Sequence, residues 1–274
     1  MMPPTGDALL ERATSGDGTE IAYFSSGEGP PLVLVHGVLA DHNRWAPLLP
    51  YLEPQRTVHA MDRRGRGESG DHPEYDVARE FEDIAAVVDA VAERTGSPVD
   101  LYGHSSGGAY VISAALLTSH IGRLILYEPA VSGVDLFPEG LPQRLERLVA
   151  TGDREEAVET FAREALHMSD EQLAAFKQQP SWPARVAAAH TLPRELAIPP
   201  TRIFDPGRAA QVTVPTLILQ GHDTPHRFKA DVATVAAAVR GARVVEFEGQ
   251  GHSGDILAPK AVADSLLAFL REGA

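Results

Sequence analysis

Short, fully apolar runs separated by stretches of helical periodicity dominate this chain. Leu32-Val33-Leu34-Val35 is apolar at every position, the pattern of a strand covered on both faces. Strands are also expected at Thr57–Met61, 99–103, 123–127, 214–219 and Arg243–Phe247. Between them, Val77–Thr95 places Phe81, Ile84, Ala85, Val88 and Val91 on one stripe, with Asp76 to cap it and Gly96 to end it. An alanine-rich helix follows Gly103 at once, and 228–239 and 259–270 give two more, the last turning Val262, Leu266, Phe269 and Leu270 inward. Residues 42–52 carry helical spacing, but Pro47 and Pro50 make that helix short or irregular. Ahead of these, Leu9–Thr14 and 20–25 form a hairpin through Gly16-Asp17-Gly18.

This alternation predicts an α/β fold with a mostly parallel central sheet flanked by helices. The rhythm breaks at Pro129, where helices are expected at 141–149, 154–166, Asp170–Lys177 and 183–191, before a proline-rich exit over 192–202. Because the β–α rhythm then resumes, 130–211 reads as a helical cap inserted into a core made of 1–129 and 212–274.

Composition narrows the function classes. A net charge of -14, from 24 basic and 38 acidic residues, leaves no basic stripe for nucleic acid or for an anionic membrane surface. The absence of cysteine excludes disulfides, thiolate catalysis and cysteine-ligated metal. Residues 1–12 lack a basic segment followed by an apolar core, so a cytoplasmic location is expected.

Chemistry concentrates where strands end, the edge at which open parallel sheets bind ligands. Gly103-His104-Ser105-Ser106-Gly107 fits G-x-S-x-G between a strand and a helix, a nucleophile elbow that exposes the serine hydroxyl above the sheet. Ser105 needs a base, and His252, flanked by Gly251 and Ser253-Gly254 after the last strand, is placed to serve. Asp223, after the strand 214–219, is the favoured acid to orient that imidazole, and the order Ser105, Asp223, His252 fits such a fold. Glu128, at the end of the strand next to that of Ser105, is the alternative acid.

With His36-Gly37, Asp62-Arg63-Arg64-Gly65-Arg66-Gly67-Glu68-Ser69, the Ser105 elbow, Gly221-His222-Asp223 and Gly251-His252 in that order, the chain resembles the α/β-hydrolase superfamily in its single-chain form with a helical cap. The resemblance covers nearly the whole chain. It implies that the cap is a lid over the substrate pocket and that the amides of Val38 and Ser106 form an oxyanion hole. It also implies that the acid sits at the position of Glu128 in some relatives. Ser106 stands where peroxide-using relatives often carry Met, which weighs against a haloperoxidase-like activity.

The expected function is a cofactor-independent serine hydrolase cleaving a small carboxylic ester or lactone through an acyl-enzyme, with an apolar or amphipathic substrate. Carbon–carbon bond hydrolysis of a diketone-type substrate is the alternative on the same residues, and a catalytically silent small-molecule binding protein the alternative of another class. His36, His104, Phe137, Leu141 and Trp182 are expected around the pocket. Gly65-Arg66-Gly67-Glu68-Ser69-Gly70 fits G-x-G-x-x-G, but Asp71-His72-Pro73-Glu74 delays the helix that a dinucleotide site requires. His222, Asp223 and His226 lack the spacing of a metal site, so none is expected.

Overall fold

The computed structural model describes residues 8–272; residues 1–7, part of the stretch read for a targeting signal, and 273–274 lie outside the described residues. Eight strands form one sheet: β1 (Leu9–Thr14), β2 (Glu20–Ser26), β3 (Pro31–Val35), β4 (Thr57–Met61), β5 (Val99–His104), β6 (Ile121–Tyr127), β7 (Thr216–Gly221) and β8 (Arg243–Phe247). Their spatial order is β1-β2-β4-β3-β5-β6-β7-β8. β1 and β2 pair antiparallel, as do β2 and β4, and every pairing from β4 to β8 is parallel.

The pleat explains why the central strands are apolar throughout. Val33, Val35 and Leu101 point to the face covered by Phe81, Ile84 and Val88 of the helix Val77–Thr95. Leu32, Leu34 and Tyr102 point to the other, packed on Trp45 and on Val262 and Leu266 of the helix Pro259–Arg271. Asp76 caps the first of these helices through the Ala78 amide, and Gly96 ends it at φ 65°. The proline-containing stretch after β3 divides into a 3-10 turn, His42–Trp45, and one helical turn, Leu49–Leu52.

Between β6 and β7 the described residues contain helices and no strand. Packing splits this insertion in two. Leu141, Leu145, Phe161, Leu173, Leu192 and Leu196 share an apolar cluster with Leu39 of the loop after β3, whereas Ile198, Ile203, Ala209 and Val212 join the core beneath the sheet. The second part of the insertion is thus continuous with the core cluster. The proline-rich exit is also more ordered than a loop. It forms the short helices Leu192–Leu196 and Pro200–Ile203, each with proline in its first turn, where the missing amide costs nothing.

Ion pairs tie cap to core. Glu195 accepts from Arg63 at 2.8 Å and pairs with Arg66, while Arg194 binds Asp71 at 2.9 Å and Arg202 binds Asp76 at 2.7 Å. The first tie is fully buried. Among the described residues no helix is long and apolar enough to cross a membrane.

Candidate active site

Ser105 occupies a one-residue turn between β5 and the helix Ser106–Ala114, with φ 56° and ψ -125°. A side-chain-bearing residue pays roughly 1–3 kcal/mol for such a conformation, so the surroundings must impose it. They do: the Ser105 amide donates to Tyr127 O at 2.9 Å, and its carbonyl accepts from Ala109 and Ala130, each at 3.0 Å. Gly103 and Gly107 allow the close approach. A Cβ on Gly103 would lie 2.7 Å from Gly107 O, and one on Gly107 would lie 2.5 Å from His36 O.

His252 reaches this turn from the loop after β8. Its Nε2 lies 3.0 Å from Ser105 Oγ, and its Nδ1 lies 2.6 Å from Glu128 Oε2. Glu128, fully buried at the end of β6, also accepts from the Gly221 amide at 2.7 Å and Thr224 Oγ1 at 2.8 Å. An ionised carboxylate only accepts, so Nδ1 carries the proton and Nε2 turns its lone pair toward the serine. The imidazole stacks on Phe228, ring centres 3.9 Å apart. Tyr127 fixes the loop, its hydroxyl donating to Gly251 O at 2.8 Å and accepting from the Gly254 amide at 3.1 Å.

The carboxylate on His252 is thus Glu128 and not Asp223, a correction to the expectation from sequence. Asp223 is exposed, and its amide is used to tie its loop to Gln250 O at 2.8 Å. β6 lies directly beside β5, one strand closer to the elbow than β7, and places its terminal carboxylate under the imidazole.

A family model described as the alpha/beta hydrolase family matches residues 32–265. The chain belongs to the α/β-hydrolase family. The solved structure of an alpha/beta hydrolase from Sphaerobacter thermophilus is 38% identical, covers 95% of this chain and 100% of its own, and superposes with a TM-score of 0.82. A non-heme haloperoxidase from Rhodococcus erythropolis is 29% identical over 94% of this chain and 98% of its own length. An (E)-2-((N-methylformamido)methylene)succinate hydrolase from Acinetobacter baylyi is 23% identical over 90% of this chain and 93% of its own.

In this α/β-hydrolase a cavity of about 570 Å³ opens above Ser105, between the strand ends and the cap. Val38 and Ser106, the two residues whose amides were expected to form an oxyanion hole, both line it, as do His104 and Phe137. The other three residues expected around the pocket do not line it. Leu141 is buried inside the cap cluster, and Trp182 packs edge-on against Phe176 at 5.7 Å. His36, directly after β3, is fully buried. Its Nδ1 contacts Gly37 O at 2.8 Å and its Nε2 accepts from the Arg63 amide at 3.1 Å. Burial, aided by the charge of Arg63, holds its pKa well below the usual imidazole range, so it serves as a neutral brace. A Cβ on Gly37 would lie 2.9 Å from Ser105 Cβ, so this loop passes directly beside that serine.

The glycine-rich loop after β4 wraps a carboxylate of its own. The Glu68 amide donates to Asp62 Oδ2 at 2.9 Å, and a Cβ on Gly67 would collide with that same carboxylate. Arg63 and Arg64 anchor the loop, forking onto Glu80 and Asp83 of the helix Val77–Thr95. His222, grouped with Asp223 and His226 in the sequence, instead contacts exposed Glu246 at 2.7 Å and Glu248 at 3.8 Å. Sequence reasoning missed Phe228 under the imidazole and three arginines, Arg44, Arg185 and Arg227, in the cavity wall. The arginines carry no local motif, and neither does Phe228, which lies in the first turn of the helix His226–Ala238.

Proposed function

We propose that this protein is a serine hydrolase acting on a small carboxylic ester or lactone, with Ser105 as nucleophile, His252 as base and Glu128 as the acid that orients it. The supporting observation is the unbroken line from Ser105 Oγ through the imidazole to the buried Glu128 carboxylate, at 3.0 and 2.6 Å, opening into the cavity beneath the cap.

In this reading Ser105 Oγ attacks the acyl carbon as its proton passes to His252 Nε2. Glu128 keeps the ring in the reactive tautomer and stabilises the imidazolium. Negative charge builds on the former carbonyl oxygen and is met by the Val38 and Ser106 amides, the second carried by a first-turn residue with no intrahelical partner. The protonated imidazole then gives its proton to the leaving alkoxide. Water, deprotonated by the same nitrogen, hydrolyses the acyl-enzyme and returns the serine.

Treatment with a fluorophosphonate followed by peptide mapping tests the reading. Covalent label is expected on Ser105 and absent from Ser105→Ala, which should fold normally yet lose p-nitrophenyl ester and lactone hydrolysis by about ten-thousandfold or more. Hydrolysis that persists in Ser105→Ala overturns it.

A further inference from the structure

Three guanidinium groups, those of Arg44, Arg185 and Arg227, line the cavity against a single carboxylate, Glu195. Glu195 is already engaged by Arg63 and Arg66. Arg44 is held from outside the cavity wall by Asp255 at 2.8 Å, yet its Nε is buried with no hydrogen-bond partner. Among the described residues, Arg185 and Arg227 have no carboxylate oxygen within 4.0 Å. Arg227 instead donates to Ala165 O at 3.1 Å.

Arg185 comes from the cap helix Trp182–Ala187 and lies over the ring of Phe176, 4.4 Å from its centre. It donates only to neutral oxygens, Ser181 Oγ at 3.2 Å and Gln179 Oε1 at 3.5 Å. Burial, followed by the charge of Arg44, draws its pKa down to about 10, with the Asp41 carboxylate opposing more weakly. The group therefore stays cationic at neutral pH, facing another cation in a largely apolar space. This local positive excess belongs to a protein whose net charge is -14. Such charges are costly until an anion joins them, and the planar guanidinium fork matches a carboxylate with two parallel hydrogen bonds.

We infer that the acyl substrate carries a second, ionised carboxylate, which Arg185 receives in the space it shares with Arg44 while the scissile carbonyl lies at Ser105. The inference rests on the serine-hydrolase reading for the bond that is cleaved, whereas the anion subsite can be measured without turnover.

The test uses Ser105→Ala protein and calorimetric titration with monomethyl esters of the dicarboxylic acids from malonate to adipate, each compared with its neutral dimethyl ester. At least one monoacid should bind about tenfold or more tightly than its diester. Arg185→Gln added to Ser105→Ala should erase that preference, and Arg185→Lys should keep part of it. No preference in any pair overturns the inference, as does a preference that survives Arg185→Gln or inorganic phosphate binding as tightly as the best monoacid. Should the glutamine variant fail to fold, a preference undiminished in Arg185→Lys also overturns it, because a guanidinium fork would then not be required. Fluorophosphonate labelling of wild-type Ser105 is scored separately. Label without acid preference removes the subsite and leaves the hydrolase; preference without label does the reverse.

Discussion

On the sheet side of the cavity three groups around Ser105 are tightly partnered: Glu128 takes three donors, His252 is pinned at both nitrogens, and His36 spans two loops. On the cap side the wall is apolar and built from short helices, and its Arg185 binds only neutral oxygens. The line from Ser105 through His252 to Glu128 is fully partnered before any ligand arrives, as suits groups that hold reacting atoms in place on the serine-hydrolase reading. The cap wall is left incomplete in charge, as suits a surface that selects what enters. Rigid chemistry and adjustable selection are thus divided between two parts of one chain.

The sheet wall is broken most directly at Glu128. Glu128→Gln should lower kcat by about a hundredfold to ten-thousandfold, because an amide no longer fixes the imidazole tautomer. Asp223→Asn, its exposed competitor, should stay within about twofold, since an exposed carboxylate remote from other partners changes little. Steady-state kinetics of the two variants side by side decide it; the reverse order would return the acid to Asp223.

The seam between the walls is held by Glu195. Its loss leaves Arg63 and Arg66 buried with less compensating charge, so Glu195→Gln should cost roughly 3–5 kcal/mol, read from urea denaturation midpoints. Arg202→Gln, cutting a solvent-exposed tie, should cost under about 1 kcal/mol. Equal losses would mean that the buried tie does not govern the docking of the cap.

Acid sharpens the contrast further. His36, His59 and His104 are buried, and desolvation lowers the pKa of each, that of His59 to about 4. The unfolded chain takes up these protons first, near pH 6.5, so stability is complete above that pH and declines as pH falls toward 4. For His59 the decline amounts to roughly 3 kcal/mol at the bottom of the window. Urea midpoints at pH 7.5 and 4.5 should draw together in His59→Gln; an unchanged gap would remove His59 from the account.

Much of this architecture is written locally. Leu32–Leu34 and Leu101 had to be covered on both faces, and Ser105 and His252 announce themselves through the glycines and strands around them. The identity of the acid is not local. Asp223 and Glu128 both end strands near the elbow, and only the order β5-β6-β7 together with the burial of Glu128 separates them. Helices of four or five residues such as Pro200–Ile203 hold too few positions for a period to show, so their prolines suggested a loop. Arg44, Arg185 and Arg227 lie far apart in the chain, and nothing short of the folded cavity brings them together.

The backbone at Ser105 has one more consequence. Glycine would adopt φ 56° freely, so Ser105→Gly should relieve a share of the torsional load that β5 and its neighbours now bear. On the serine-hydrolase reading, heat resistance alone would favour glycine at this position, and only turnover calls for the hydroxyl. Sturdiness and reactivity compete at a single residue.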